Sequence, residues 1–479
     1  MRSDFIPSAL ALNRFGVGAR PGDLARVGRD PQGFFLTEIR SEQPQTNQIL
    51  PETPTILADL REESRRVDLA RARNAATGDE PRPEGIVLSR LIDKAEASGK
   101  PMPAPAQPRN DIPQAMYQAD IMARVNAALT TDGGFVERLV WFWSNHFAVG
   151  VSKGNQVQST AGAFEREAIR PFVLGRFSDM LHAVETHPTM IYYLDNNQSI
   201  GPSTETARRQ KKGLNENLAR EILELHTLGV SGGYTQSDVT SLARVITGWT
   251  VAGPEGRLGR PGSTVFNVGL HEPGEQQVLG RYYPDFGPDQ ARDVFVALAS
   301  EPATARHLAT KLARHFVADH PPDALVRRLE STFRDTGGDL AAVAAALLQA
   351  DESWAPEASK IRSPQEFVMG SLRLLGSVPE NGGVVNNLLN ALGQKMWDPP
   401  GPNGYPDSRD HWESPEGLKT RLDVAVRLSQ RASDRDPMAL LDGGLGDYAS
   451  RETRQAVARA ESRQQGVALL LMSPEFQRR

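Results

Sequence analysis

The stretch LNENLAREILELHTLG, residues 214–229, sets Asn215, Glu216, Asn217, Arg220, Glu221, Glu224 and His226 along one helix-length run. A carboxylate beside an imidazole can pass protons as general acid and base, and a histidine–carboxylate set can also hold a metal ion. At about 100° per residue, Leu218, Ile222 and Leu225 define an apolar face, and Glu216, Arg220 and Glu224 fall opposite it. Their four-residue spacing is accounted for by ion pairing on a solvated surface. Asn215 and Glu221 remain at the two edges of the apolar face, each about 60° from Leu218. Glu221, with Glu216 and Arg220 near it, is the candidate catalytic carboxylate if a histidine from another helix meets it.

Several histidines lie on faces where solvated residues are not expected. In FVERLVWFWSNHF, His146 falls between Leu139 and Phe142, and in RHLATKLARHF, His315 follows Leu308 and Leu312 by seven and three residues. His226 lies on the apolar side of the opening helix. A buried imidazole needs a hydrogen-bond partner and resists protonation, so it suits a metal ligand, a near-neutral base or a packed polar ring. His187 precedes Pro188 at a helix start, where it caps the helix or points into a cleft. His271 sits at the turn HEPG, where a loop can present a side chain. Asp179, His182 and Glu185 lie opposite Phe177, Leu181 and Val184 and are expected to face solvent.

The elements that must position these groups are mostly helices. Short helical patterns fill residues 1–75, a Pro/Gly-rich insertion or linker spans 76–113, and a main helical domain spans 114–479. Within it, STVFNVGLHEPGEQQVLGRYY alternates and turns at Glu272-Pro273-Gly274, which predicts one β-hairpin over 264–283. The fold class expected is mainly α, a large multi-helix globular unit with that small β element.

Several motifs fail their context. GVSKG, residues 150–154, fits a nucleophile pattern around Ser152, but an aromatic helix precedes it where a strand is required. HEPGE lacks the second histidine of a zinc-protease helix, and no histidine has a glutamate three residues before it. The run RRQKK is read as a solvated loop. With no cysteine among 479 residues, thiolate metal sites, iron–sulfur clusters and disulfides are excluded. A net charge of −5 gives no general attraction to nucleic acid or anionic lipid. The start MRSDFIPSALALNRFGVG lacks the pattern of a secretory signal, and no stretch is apolar enough for an integral membrane segment, so a cytoplasmic location is expected.

VWFWSNHFAV, ETHPTMIYYLDN, LNENLAREILELHTLGVSGGYTQSDVTSLARVITGW, HEPG followed by VLGR, EPATARHLATKLARHFV, IRSPQEF and LGQKMWDPPGPNGYPD occur in this order. The chain thereby resembles the bacterial domain of unknown function 1800 family. The resemblance implies one family unit over most of the length, a largely helical fold, and polar motif positions at His146, His187, Asn215, Glu216, Asn217, Arg220, Glu221 and His271. It also implies a pairing with the domain of unknown function 1501 family, which is similar to sulfatases and alkaline phosphatases. Periplasmic placement by export together with such a partner follows from the same resemblance.

Two functions are expected on these grounds. In the first, His146, His187 and His271 join Glu216 or Glu221 in a metal-dependent hydrolase or oxidase holding zinc, manganese, iron or copper, or in a metal-free acid–base site. In the second, the chain is a non-catalytic helical partner, escort or maturation factor of an exported sulfatase-like or phosphatase-like protein, and the motif residues build internal networks.

Overall fold

The computed structural model describes residues 8–41, 48–77 and 112–479. The stretch read as a linker lies almost wholly outside the described residues, which stop at the helix Thr53–Thr77 and resume at α1, Ile112–Thr130. The described fold is mainly α, with two small antiparallel sheets of two strands each.

Helix α2, Phe135–His146, is central: eleven of its twelve residues are buried. Trp141, Phe142 and Trp143 are consecutive, so apolar side chains point to more than one side, and neighbours cover the helix nearly all round. Glu137 and Arg138 are carried inside with it and must be paired there.

Helix α3, Asn155–Phe164, runs directly into a π-helical turn, Glu165–Ile169. After α4, Phe177–Glu185, the opening motif forms α5, Asn217–Glu221, which likewise passes into a π turn, Ile222–His226. A π turn bonds i to i+5 and rotates the following side chains off the 3.6-residue pattern, and such turns concentrate at functional sites. Gly229 adopts a left-handed backbone (φ 83°), and Thr235 with Asp238 forms the capping box that starts α6, Gln236–Val245.

The β segment differs from the single hairpin expected. Strand β1, Trp249–Val251, pairs with β2, Thr264–Phe266, while β3, Gln276–Val278, pairs with β4, Arg281–Tyr283. The tight turn is Leu279-Gly280, both at positive φ (48° and 74°), as a two-residue hairpin loop demands. Glu272-Pro273-Gly274 instead joins the two sheets, just after a 3-10 turn at Val268–Leu270.

Helix α7, Pro302–Phe316, lies antiparallel against α2, since Arg138 meets His315 at one end while His146 meets His307 and Lys311 at the other. Helix α8, Pro364–Leu375, starts at a Ser363–Glu366 capping box and ends at Gly376 in the left-handed region. Among the described residues no helix is long and apolar enough to cross a membrane.

Candidate functional site

Two helix faces, each with residues at i, i+4 and i+8, oppose one another: Arg138, Phe142 and His146 on α2, and His307, Lys311 and His315 on α7. His146 donates from Nε2 to the His226 carbonyl (3.1 Å), so its Nδ1 accepts from the Lys311 ammonium (2.9 Å). Burial, reinforced by Lys311, His307 and His226, holds the His146 imidazole well below the ordinary histidine range. His307 donates from Nε2 to the Leu225 carbonyl (3.2 Å), and burial together with Lys311 lowers it to about 4. Burial also pushes the Lys311 amine down to about 8, with Asp407 opposing the shift. At the other end, His315 donates from Nδ1 to Asp407 (2.7 Å) and accepts at Nε2 from Arg138 (3.2 Å), which fixes it neutral. Arg138 also pairs with Glu366, which pairs in turn with Arg479 (3.0 Å).

Each histidine expected as a metal ligand has its own partners. His187 caps the helix Pro188–Tyr193, accepting at Nδ1 from the Thr189 amide (3.2 Å) and donating from Nε2 to Glu167 (3.1 Å). His271 donates from Nδ1 to the Thr247 carbonyl (2.9 Å), and its Nε2 lies 3.4 Å from Asp285. Among the described residues no three His, Asp or Glu side chains gather as a metal site. The nitrogen of His146 left for a cation already faces the Lys311 ammonium, so this donor set does not fit a divalent metal.

His226, in the second π turn, donates from Nδ1 to Glu185 (2.7 Å), and both side chains are fully buried. Glu185 was expected on a solvent-facing side; α4 is covered there by the histidine from the opening motif. Asn215 meets no histidine: its side chain accepts from the Asn217 amide (2.9 Å) and reaches the Asp195 carbonyl (3.4 Å), tying down the start of α5. Glu216 binds Thr240 (2.7 Å), Gln236 (2.8 Å) and Arg220 (3.3 Å) in a network on the surface of α5 and α6. Glu224 leaves the expected ion-paired row and accepts from the Tyr234 hydroxyl (3.0 Å).

Glu221 differs from these paired groups. It is half-buried and has no hydrogen-bond partner among the described residues, and burial raises its carboxyl above the ordinary range, with Glu224 and Glu185 adding to the rise against His226 and Arg220. Burial, with Glu221 and Asp398 beyond it, pushes the nearby Tyr193 phenol up to about 12. Gly150 touches this group: a β-carbon there would lie 3.3 Å from the Tyr193 ring and 3.7 Å from an Asp398 carboxylate oxygen. Asp398 accepts from the Ser152 amide (3.0 Å) and pairs with Lys395 (2.7 Å), so GVSKG is a loop anchored to the C-terminal motif.

Beside that loop lies a cleft open to solvent, with about 680 Å³ of free space. Four of the motifs meet there, contributing Trp141 and Asn145, His315, Gln365 and Glu366, and Lys395 to Asp407 in part. Asn145 clamps the last of these, donating to the Tyr405 carbonyl (3.0 Å) and accepting from its amide (2.8 Å). Behind them the Arg124 guanidinium sits 5.8 Å from the Trp141 ring and 5.3 Å from the Trp397 ring, and 3.2 Å from Glu165 in the first π turn. Sequence reasoning passed over Arg124, Arg138, Glu165, Lys311, Glu366 and Asp407. The available signal was charge embedded in apolar runs, as Glu137-Arg138 is in FVERLVWFW.

No curated protein and no solved structure matches the chain. One family does, described as "Protein of unknown function (DUF1800)"; it matches residues 10–478, nearly the whole length, and the chain belongs to it.

Proposed function

We propose that the chain is a hydrolase working by metal-free acid–base chemistry, with Glu221 as the proton-transferring carboxyl. The observation that carries this reading is a half-buried carboxylate with no hydrogen-bond partner among the described residues and a raised pKa, next to a π turn. A carboxyl with a raised pKa holds its proton to higher pH than an ordinary one and can give it to a leaving oxygen, and the carboxylate so formed can take one from an attacking water. Arg220, held by Glu216 at 3.3 Å, supplies the neighbouring positive charge, and the Tyr193 hydroxyl is a second donor. The test is carbodiimide labelling of carboxyls across pH 4 to 8, read by mass spectrometry. The Glu221 midpoint is expected above that of Glu216, whose carboxyl Thr240 and Gln236 hold low. Alongside, Glu221→Gln is expected to lose at least about a hundredfold of any hydrolysis detected on chromogenic esters, glycosides and phosphates. Equal midpoints, or full activity in the variant, would refute the assignment.

A second reading is favoured by a different observation: the ring nitrogens of His146, His187 and His315 are all engaged inside the chain. Polar motif positions used in this way suit a non-catalytic helical partner of a sulfatase-like protein of the domain of unknown function 1501 family. Stable co-purification with such a protein, unchanged by Glu221→Gln, supports that reading.

A further inference from the structure

One helix outside the motifs carries an exposed apolar face. Helix α9, Pro415–Gln430, starts at a Ser414 cap with proline in its first position, which fixes its N-terminus. Its inner side is anchored: Val424, Ala425 and Leu428 are buried, and Arg421 donates to the Arg362 carbonyl (2.7 Å) and to Gln477 (3.0 Å). On the outer side Leu418, Leu422 and Val426 follow one another at four-residue spacing and are 38%, 48% and 36% exposed. Helix α10, Arg463–Met472, packs along α9 and exposes Leu469 as well. A single exposed apolar side chain needs no explanation, but no other helix among the described residues exposes more than one large apolar side chain. A row of three on a firmly docked helix marks an interaction surface.

The charges beside the row select its partner. Taking about 100° per residue from Leu422, Lys419 and Asp423 lie at about 60° and 100° and Glu416 and Arg427 at about 120° and 140°, all on one side of the row. All four are exposed, and none forms an ion pair among the described residues, although Lys419 with Asp423 and Asp423 with Arg427 have the four-residue spacing that permits one. In chain order their signs read minus, plus, minus, plus. Reversed, they read plus, minus, plus, minus, so each charge finds its opposite on the same helix running the other way.

The apolar row obeys the same symmetry. A two-fold axis beside Leu422 sets that residue against its own counterpart and Leu418 opposite Val426 of the second copy. Lys419 then falls two residues, about 3 Å along the helix, from Asp423 of the second copy, and Glu416 falls one residue, about 1.5 Å, from its Arg427. Such an axis is perpendicular to the plane of the two helices, so the charged sides of both lie on the same edge of the contact. A parallel pairing instead opposes Lys419 to Lys419 and Asp423 to Asp423. We infer that the Leu418, Leu422 and Val426 face of α9 is a homodimer interface, on which a second copy of this chain packs antiparallel about a two-fold axis. This interface is independent of the role given to Glu221.

The test is sedimentation velocity and light scattering on the full chain from about 1 to about 200 µM, a range that covers weak and moderate association. A mass approaching twice that of one chain is expected at the upper end. Leu422→Lys sets two ammonium groups against each other at the axis and should weaken association by about a hundredfold or more. Because that side chain is half exposed, far-UV circular dichroism and Tm, compared where both proteins are monomeric, are expected to match the parent. Lys419→Asp alone and Asp423→Lys alone each oppose like charges across the axis and should weaken association by about tenfold. An equimolar mixture of those two variants is expected to associate as the parent does, since each charge again meets its opposite in the mixed dimer. The inference is overturned if the chain is monomeric throughout, as it would be if another part of the chain or a different protein covers the face. It is also overturned if a dimer forms and Leu422→Lys leaves it intact, or if mixing the two charge variants restores nothing.

Discussion

Glu366→Gln tests whether the buried charge network holds α2, α7 and α8 together. Glu366 is 5% exposed and stands between Arg138 (1%) and Arg479 (2%). Burial alone would raise its carboxyl; Arg138 and Arg479 overcome that and hold it at about 2, against an ordinary 4.5. At about 1.4 kcal/mol per pKa unit, the carboxylate contributes roughly 3 kcal/mol at neutral pH. Removing one partner from a buried pair costs about 3–5 kcal/mol by an independent route, because the remaining charge is stranded. The amide oxygen of glutamine can still accept from the Ser363 amide (2.7 Å in the parent), so the helix cap survives and the charge alone is removed. The folded pKa is depressed, so the contribution is complete above about pH 4.5 and is lost as pH falls toward 2. Urea unfolding at pH 7 and pH 3, followed by far-UV circular dichroism and tryptophan fluorescence with coincident transitions, should show a deficit of about 3–5 kcal/mol that narrows in acid. A deficit under about 1 kcal/mol at pH 7, or one that does not change with pH, would refute the account.

Two further outcomes follow from particular contacts. Gly404 has φ 76°, and a β-carbon there would lie 2.3 Å from the Asn145 carbonyl oxygen, so Gly404→Ala should destabilise the chain by about 2–4 kcal/mol in thermal or urea unfolding and release Tyr405 to solvent quenching. Lys311 is lowered to about 8 by burial, so between pH 8 and about 10.5 the unfolded chain binds the proton more readily and stability rises with pH; Lys311→Met should remove about 3 kcal/mol of that rise, read as the difference between the two unfolding profiles.

The helical class, the burial of His146 and the partial burial of His315 were legible because local periodicity reports which side of a helix is apolar. Glu185 was not legible. A wheel ranks the faces of one helix against each other but does not count how many are covered, and α4 is covered on its polar side by His226. The same limit applies to Glu137 and Arg138 on α2. The β segment was misjudged because Leu279 takes a positive φ that leucine rarely adopts, whereas Pro-Gly advertised a turn that the sheets do not use. The wheel also assumed a constant period through LNENLAREILELHTLG; the π turn after Glu221 changes that period, and Glu224, placed in one row with Glu216 and Arg220, meets Tyr234 instead.

The histidines carry a more general lesson about assigning chemistry. His146, His187 and His271 each had a reason to be notable, but the reasons were local to one element and the partners are not: Lys311, Glu167 and Asp285 come from other elements of the fold. Once Lys311 is seen to donate to His146, the imidazole is an acceptor in a ladder between two antiparallel helices. His146→Ala then leaves a half-buried ammonium without that acceptor and a backbone carbonyl without its donor, so it should damage folding whether or not the protein is an enzyme. Loss of function in that variant therefore says nothing about catalysis. Glu221 has no hydrogen bond to lose among the described residues, so Glu221→Gln can remove a proton-transfer group with little change in stability, and a variant that folds normally but does not turn over is diagnostic in a way the histidine variant is not.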